Sequence, residues 1–409
     1  MKTMRPHWRF QVWTMALCLP LGAPFAPAAA DPPPGSTASA APGPAPGTPV
    51  PLNTQGASQP DADNALPPIF QPSPIPLGHD FLVGGAVDGR IRTASTGRHG
   101  GIWANAVELD FQHPITAKGI PHGNIVLQLI GEDPPDIAHG RDVRVGEAYL
   151  LYKLPLPSDT GTTSFVKVGQ FQIPFGLLAV YDPHLRIVQP LYAQSLGLRT
   201  DLGVALTGTL YGYLQYDFAL TTGSGPNRAY VNPDRLVTFR LGRTFSTRNG
   251  LLTVGGSLLS GHLPVTDPDG ADPFAVELPP SGRPRPSRLD PQGDRFTPKT
   301  RIGGDFTYAF KAITARGEAV AGADKSNRVL GYYIEGDYAF VPRVSGLLAR
   351  SLFVYPVGNS NASREYVGLN YEASRRLSLG AVYEYLRDVP RNAFGRVRHR
   401  MTVQALLRF

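Results

Sequence analysis

The chain has 409 residues, with 39 Lys and Arg against 32 Asp and Glu, a net charge of +7 and a single cysteine. That charge is too balanced to point to a nucleic-acid partner. Beyond the first 30 residues no stretch reaches the roughly 18 consecutive apolar residues that a membrane-spanning helix needs, so any crossing of a bilayer there has to be made by strands.

Lys2, Arg5 and Arg9 form a basic start, residues 12–23 a short apolar core, and Ala28-Ala29-Ala30 the small residues that a signal peptidase needs. Residues 1–30 are therefore expected to be a secretory signal, with the mature chain starting near Asp31. Cys18 falls inside this segment. Leu17 before it is larger than a lipoprotein site accepts, so Cys18 is expected to be only an apolar residue of the signal, and the mature chain has no thiol chemistry.

Residues 31–78 read as a Pro/Ala-rich linker: the stretch 31–76 holds 14 prolines and only three charges, Asp31, Asp61 and Asp63. Such a segment buries too little apolar surface to fold and samples extended, polyproline-like states. It is expected to be a disordered periplasmic linker that serves as an inert tail, with a tether or spacer that touches the cell wall as the alternative.

From residue 79 to 409 the pattern alternates with period two. Ile302, Phe306, Tyr308 and Phe310 share one face against Asp305, Thr307 and Lys311. Leu330, Tyr332, Ile334, Tyr338 and Phe340 oppose Glu335 and Asp337, and Val107, Leu109 and Phe111 oppose Glu108 and Asp110. Alternation of this kind places unlike residues on the two faces of a strand. Segmenting on it gives strand centres near residues 87, 108, 127, 149, 168, 204, 217, 240, 255, 305, 318, 335, 351, 369, 382 and 404. No helical pattern separates them. Connections alternate between short (246–249, 312, 341–343, 374–376) and long (172–198, 223–234, 262–298, 357–363, 388–397), with two longer turns expected near 114–122 and 155–163. A barrel with short periplasmic turns and long outer loops has this rhythm.

The final strand, Met401 to Phe409, puts Met401, Val403, Ala405, Leu407 and Phe409 on one face, with Leu406 the exception on the other. An apolar-faced strand closing on Phe409 resembles the C-terminal signature of outer-membrane barrels, which the barrel assembly machinery reads. An amphipathic last strand of a soluble β-domain is the alternative. The fold class expected is all-β: a transmembrane antiparallel β-barrel of about 16 strands, preceded by the signal peptide and linker.

A barrel of this size encloses water. The polar faces put Lys167, Arg240, Lys311, Arg316, Glu318, Glu335, Asp337 and Arg350 in the lumen, as candidates for charge selection. The apolar loop from Gln172 to Leu198 is expected to fold inward as a constriction, bringing Phe175, Asp182, His184 and Arg186, with Arg199 following it. A packed lid over the mouth is the other reading. Val166-Lys167-Val168-Gly169-Gln170-Phe171-Gln172-Ile173-Pro174-Phe175-Gly176, followed by Arg199-Thr200-Asp201-Leu202-Gly203-Val204, is similar to the strand-and-loop signature of the porin O/P family. That resemblance implies a sixteen-stranded trimeric channel. Some members select phosphate with basic lumen residues, but a dense inward run of Lys and Arg is lacking here.

Asp267-Pro268-Asp269-Gly270-Ala271-Asp272 lacks the ordered ligand spacing of a calcium loop. The histidines form no zinc-type pair, and no Gly-x-Ser-x-Gly, phosphate loop or dinucleotide motif is present. The expected function is a porin-like outer-membrane channel for passive diffusion of small hydrophilic solutes or ions, with no cofactor. A structural or adhesive barrel with a blocked lumen is the first rival, and a lipase barrel with a distant Ser–His pair is the second.

Overall fold

Strands with one apolar and one polar face bury the polar face and satisfy every backbone group only if the sheet closes on itself. A computed structural model of the chain describes residues 75–78, 81–94, 102–117, 120–133, 142–156, 161–181, 186–227, 235–264, 296–354, 361–387 and 399–409. The expected signal peptide and all but the end of the expected linker lie outside these residues.

A short strand β1 (Ile75–Gly78) precedes β2 (Phe81–Ala94), β3 (Ile102–Ala117), β4 (Ile120–Asp133) and β5 (Asp142–Lys153). Next come β6 (Thr163–Gln172), β7 (Thr200–Leu210), β8 (Leu214–Thr221), β9 (Leu236–Thr247), β10 (Gly250–Pro264) and β11 (Phe296–Phe310). The last are β12 (Ile313–Asp324), β13 (Asn327–Val341), β14 (Val344–Val354), β15 (Asn361–Glu372), β16 (Leu377–Arg387) and β17 (His399–Arg408). From β2 onward each strand pairs antiparallel with the next, and β17 pairs back onto β2, so sixteen strands form a closed barrel. All sixteen centres read from the sequence fall inside these strands. Ile75–Gly78, assigned to the linker by composition, instead pairs with the start of β2.

At one rim the ladders run to tight ends: Thr247↔Gly250, Phe310↔Ile313 and Val341↔Val344. The β3–β4 ladder runs to Ala117↔Ile120, so within the long turn expected at 114–122 residues 114–117 and 120–122 are strand. The opposite rim carries the long connections, except that β12 and β13 pair as far as Asp324↔Asn327.

The outward face is apolar. Val87, Val107, Ile125, Val204, Phe218, Leu258, Ile302, Ile334, Leu348, Val367, Leu369 and Val403 are exposed on it, as the lipid-facing band of a membrane barrel requires. At the short-turn rim Tyr338 and Phe340 pack edge to face with ring centroids 5.1 Å apart. Tyr308 and Phe310 stack there, and Arg243 sits over the Tyr213 and Phe245 rings at 4.5 and 4.7 Å. At the other rim the Tyr383 hydroxyl and His399 Nδ1 lie 2.5 Å apart. These are the positions of aromatic girdles.

Phe409 sits in the seam that closes the barrel. Its N–H donates to Gly85 O at 3.0 Å, and its carbonyl accepts from Gly85 N at 2.9 Å. A Cβ on Gly85 would stand 2.9 Å from Phe409 Cζ, so the ring lies where only glycine leaves room.

Candidate functional site

Pro174 cannot donate to a ladder, so β6 stops before it and the chain leaves the wall. Gly176 then adopts φ +57, and a Cβ there would meet Glu318 Oε2 at 2.5 Å. Residues 176–179 form a 3-10 turn, and Tyr192–Ser195 a single helical turn named α1. The loop does fold inward. Ile173, Phe175, Leu177, Leu178, Val188, Leu191, Tyr192, Leu196 and Leu198 are buried in one cluster with lumen-facing Leu236, Leu259, Val320, Tyr333, Phe353 and Val382. The loop therefore lies against the inner wall from β9 to β16, held by apolar burial.

Polar contacts fix its register. The Glu318 carboxylate on β12 accepts the Leu177 N–H at 3.1 Å and the Leu191 N–H at 2.6 Å. Gly176 N–H donates to Ser257 Oγ at 3.0 Å. Lys299 Nζ donates to Leu196 O and Arg301 Nε to Ser195 O, both at 3.2 Å, so two β11 cations cap the carbonyl end of α1. Arg301 in turn pairs with Asp324.

A second set of contacts joins the loop to β12 and β13. Arg186 Nη2 reaches Glu335 Oε1 at 3.0 Å and Asp337 Oδ1 at 3.8 Å. Arg316 Nη1 contacts the same two carboxylates, each at 2.5 Å. The Tyr181 ring lies between the two guanidiniums, 5.0 Å from each. Burial pushes the Tyr181 phenol well above its ordinary value, so the ring between the cations is neutral. Tyr333 donates its hydroxyl to Glu335. Two cations and two anions thus close a compact network whose formal charge is zero.

The other candidates sort by position. Arg240 and Asp305 form a bidentate pair at 3.2 and 2.7 Å on the inner wall, both side chains almost wholly buried. Lys167 faces inward with Nζ 4.7 Å from the Tyr149 ring and 5.6 Å from the Phe171 ring. Arg199 Nη2 lies 3.5 Å from Gln128 Oε1, and Gln128 Nε2 donates to Asp110 Oδ1 at 3.1 Å. Phe175 packs in the loop cluster against Gly303, where a Cβ would come within 3.0 Å of Phe175 Cζ. Asp182 and His184 lie outside the described residues.

Two expectations are corrected. Lys311 is not in the lumen: it is an exposed turn residue with φ 49 between β11 and β12, its Nζ over the Phe310 ring at 5.0 Å. Arg350 is not in the lumen either. It shares the outward face of β14 with Leu348 and pairs with Glu365 at 3.8 Å, both side chains about half exposed.

Several inner-wall groups escaped the sequence reading. Asp88 and Arg90 pair within β2 at 2.5 Å, and Gln404 donates to Asp88 at 2.9 Å across the closing seam. Glu384 on β16 lies between Arg364 at 3.9 Å and Arg400, which it contacts directly. Strict alternation against Tyr383 and Tyr385 was the signal that could have found Glu384. Among the described residues no group of His, Cys, Asp and Glu is arranged to hold a metal ion.

A closed sixteen-stranded barrel, apolar outside and carrying an inward loop against a polar inner wall, defines the fold class of the outer-membrane porins. Solved structures of that class match it. Salmonella typhi OmpF, solved in complex with daunomycin, has a TM-score of 0.54 at 11% identity, covering 80% of this chain and 97% of that one. The outer-membrane channel DcaP of Acinetobacter baumannii has a TM-score of 0.53 at 12% identity, covering 82% and 100%. The outer-membrane expressed OmpT of Vibrio cholerae has 0.53 at 10%, covering 82% and 100%. No protein-family model and no curated protein sequence matches the chain.

Proposed function

We propose that this chain is an outer-membrane porin that passes small hydrophilic solutes or ions by passive diffusion. The observation that carries this reading is the loop from Ile173 to Leu198. It is pinned against one side of the lumen by Glu318, Ser257, Lys299 and Arg301, narrowing the interior on that side. The barrel supplies a low-dielectric shell with a polar interior, and the loop sets the width that a solute must pass. Passage along such an interior needs no cofactor and no catalytic step.

The near-cancellation of charge in the Arg186–Arg316–Glu335–Asp337 network argues against strong selection there. Selectivity, anions included, then rests on other groups of the inner wall. Lys167 and Arg199 are proposed to line the route, whereas Arg240 is matched by Asp305 and Phe175 is packed in the loop cluster. Kinship with the porin O/P channels, a homotrimeric assembly, recognition of Phe409 by the assembly machinery and a cell-wall contact through the linker belong to the same proposal. The first three rest on the sequence resemblances, and the cell-wall contact rests on the Pro/Ala-rich composition of residues 31–76.

One observation favours a second reading, a barrel with a closed lumen and a structural role. Asp88, Arg90 and Asn124 face inward on the wall away from the loop and yet are almost completely buried. Single-channel current of the detergent-purified full chain in a planar bilayer decides between them. Stepwise, steady conductance is expected of the porin, and a salt gradient gives its charge preference from the sign of the reversal potential. Silence from protein shown to be folded by heat modifiability would overturn the porin and leave the closed barrel.

A further inference from the structure

On the outward face of β14 and β15, among apolar neighbours, the structure places one cation beside one anion. Arg350 is the seventh of the eleven residues of β14, Glu365 is the fifth of the twelve of β15, and the two are cross-strand partners. Neither stands at a strand end, where a charge reaches the membrane interface easily. Leu348, Val367 and Leu369 on the same two strands, and Ile334 next to Arg350, are half or more exposed. Arg350 Nε and Glu365 Oε1 are 3.8 Å apart, with the side chains 54% and 47% exposed. That separation is longer than a hydrogen bond, so the guanidinium donors and the carboxylate oxygens stay open toward whatever covers this face.

Ionisable side chains are costly in the hydrocarbon band, and most face the interior of a membrane protein. The Arg240–Asp305 and Arg316–Glu335 pairs obey that rule on the inner wall. Arg350 and Glu365 break it together. Tyr385 stands beside Glu365 in the same outward row, and Arg and Tyr are enriched in the buried centres of protein interfaces.

The arrangement also matches itself. Two copies inserted into a membrane in the same direction are related by a two-fold axis only if that axis runs along the membrane normal. Such an axis exchanges left and right and preserves depth. Arg350 and Glu365 stand left and right on strands about 4.8 Å apart, and the usual strand tilt separates them in depth by only about 3 Å. The rotation therefore sets each Arg350 against the Glu365 of the second copy, twice per contact. A three-fold ring joins unlike patches head to tail, so a self-matching patch is separate from the contacts of a trimer.

We propose that the outward face of β14 and β15 is a docking surface for a second copy of this chain, about a two-fold axis along the membrane normal, with Arg350 and Glu365 of each copy bonded to those of the other. Charge-assisted N–H···O bonds across the contact satisfy groups that lipid tails cannot. Leu348 and Val367 pack around them. In an isolated barrel the pair meets only lipid and adds nothing to stability, so its role is to select this face and no other. The contact rests on the membrane-barrel reading and does not depend on conduction.

Energy transfer between dye-labelled barrels, several to a lipid vesicle, tests the contact. The single native cysteine, Cys18, lies in the expected signal segment, so Arg375→Cys in the exposed turn between β15 and β16 carries the donor or the acceptor dye. Barrels otherwise wild type are expected to show more transfer than a random mixture of the same density. Arg350→Glu and Glu365→Arg each set like charges against each other across the axis, and each alone is expected to weaken association about tenfold or more. Mixed together, these two variants are expected to associate again. The exchanged variant Arg350→Glu/Glu365→Arg is expected to associate with itself and not with wild type. A folding defect does not produce this pattern, because each single variant fails alone and recovers with the other. Heat modifiability confirms that each variant is folded, and the exchanged variant carries the test if a single variant is not. Absence of transfer between folded wild-type barrels overturns the proposal and leaves the pair to lipid headgroups or a different partner. Transfer that is unchanged in both single variants overturns it too, since the copies then meet through another face. Loss of channel current with the mixing pattern retained overturns the porin reading and leaves the contact standing.

Discussion

Glu318 on the barrel wall accepts the amide of Leu191 at 2.6 Å while its other oxygen accepts that of Leu177 at 3.1 Å. One carboxylate thus fixes both the descending and the returning halves of the inward loop. Leaving a buried amide without its acceptor costs about 1–3 kcal/mol. Glu318→Ala orphans two amides and is expected to loosen the loop without unfolding the barrel. Single-channel recordings should then show larger and noisier current steps than wild type. Glu318→Gln keeps one acceptor oxygen and should fall between the two. Steps of wild-type size and quietness in Glu318→Ala would show that the apolar cluster alone holds the loop.

The network around Tyr181 predicts a signed pattern. Arg186 and Arg316 balance Glu335 and Asp337 at contact distances of 2.5 to 3.8 Å. Neutralising one member exposes its opposite. Glu335→Gln is expected to move the reversal potential in a salt gradient toward anion preference, and Arg316→Gln toward cation preference. The double variant Arg316→Gln/Glu335→Gln should return close to wild type. Shifts of the same sign in both single variants would mean that the network does not face the permeation path.

The places where sequence reading failed share a physical cause with the site itself. Period-two alternation located every barrel strand, because most of the wall is apolar outside and polar inside. It misplaced Arg350 because β14 reverses that rule: Leu347, Ala349 and Phe353 turn inward to pack against the loop, which leaves Arg350 on the outer face. Leu406, the one break in the pattern of the last strand, is buried on the inner face. Lys311 failed for a simpler reason, since the ladder closes at Phe310↔Ile313 and alternation has no meaning in the turn beyond it. The inward course of the loop was legible from its apolar content. Its latch was not, because Glu318 and Ser257 lie far from it in sequence and nothing local marks them as acceptors for its amides. The pairing of Arg240 with Asp305 was equally invisible, although each residue was placed correctly on the inner face.

That pair carries the next prediction. Arg240 and Asp305 are each about 1% exposed at the side chain and meet through two hydrogen bonds. The backbone makes room for them: a Cβ on Gly255 would stand 2.3 Å from Arg240 Nη2 and 2.6 Å from Asp305 Oδ2. Removing one partner leaves an uncompensated buried charge, which costs about 3–5 kcal/mol, whereas replacing both by apolar groups of similar volume is often neutral. Asp305→Ala is therefore expected to lower the temperature of the heat-modifiability transition strongly, and Arg240→Met/Asp305→Leu to restore most of it. A double variant no more stable than Asp305→Ala would show that the pair acts through its charge and not through filled space.

Leu348 tests which solvent the outer face meets. It is the most exposed large apolar residue of β14, 66% accessible on the outward face. On a water-facing sheet, an exposed leucine changed to arginine alters stability by no more than about 0.5 kcal/mol in either direction. In the hydrocarbon band of a bilayer the same change costs about 2–4 kcal/mol near the midplane, falling toward the interfaces. Leu348→Arg is thus expected to destabilise the barrel by that larger amount when unfolded by urea from lipid vesicles. The neighbouring Arg350–Glu365 pair sharpens the comparison, because it already places charge on this face. Arg350→Leu/Glu365→Leu removes that charge and is expected to be neutral or stabilising in the same assay. If Leu348→Arg is silent, this face is not against lipid, and a partner or water covers it instead. If it is costly while the double leucine variant is also costly, the pair is held against a protein surface that needs its charges.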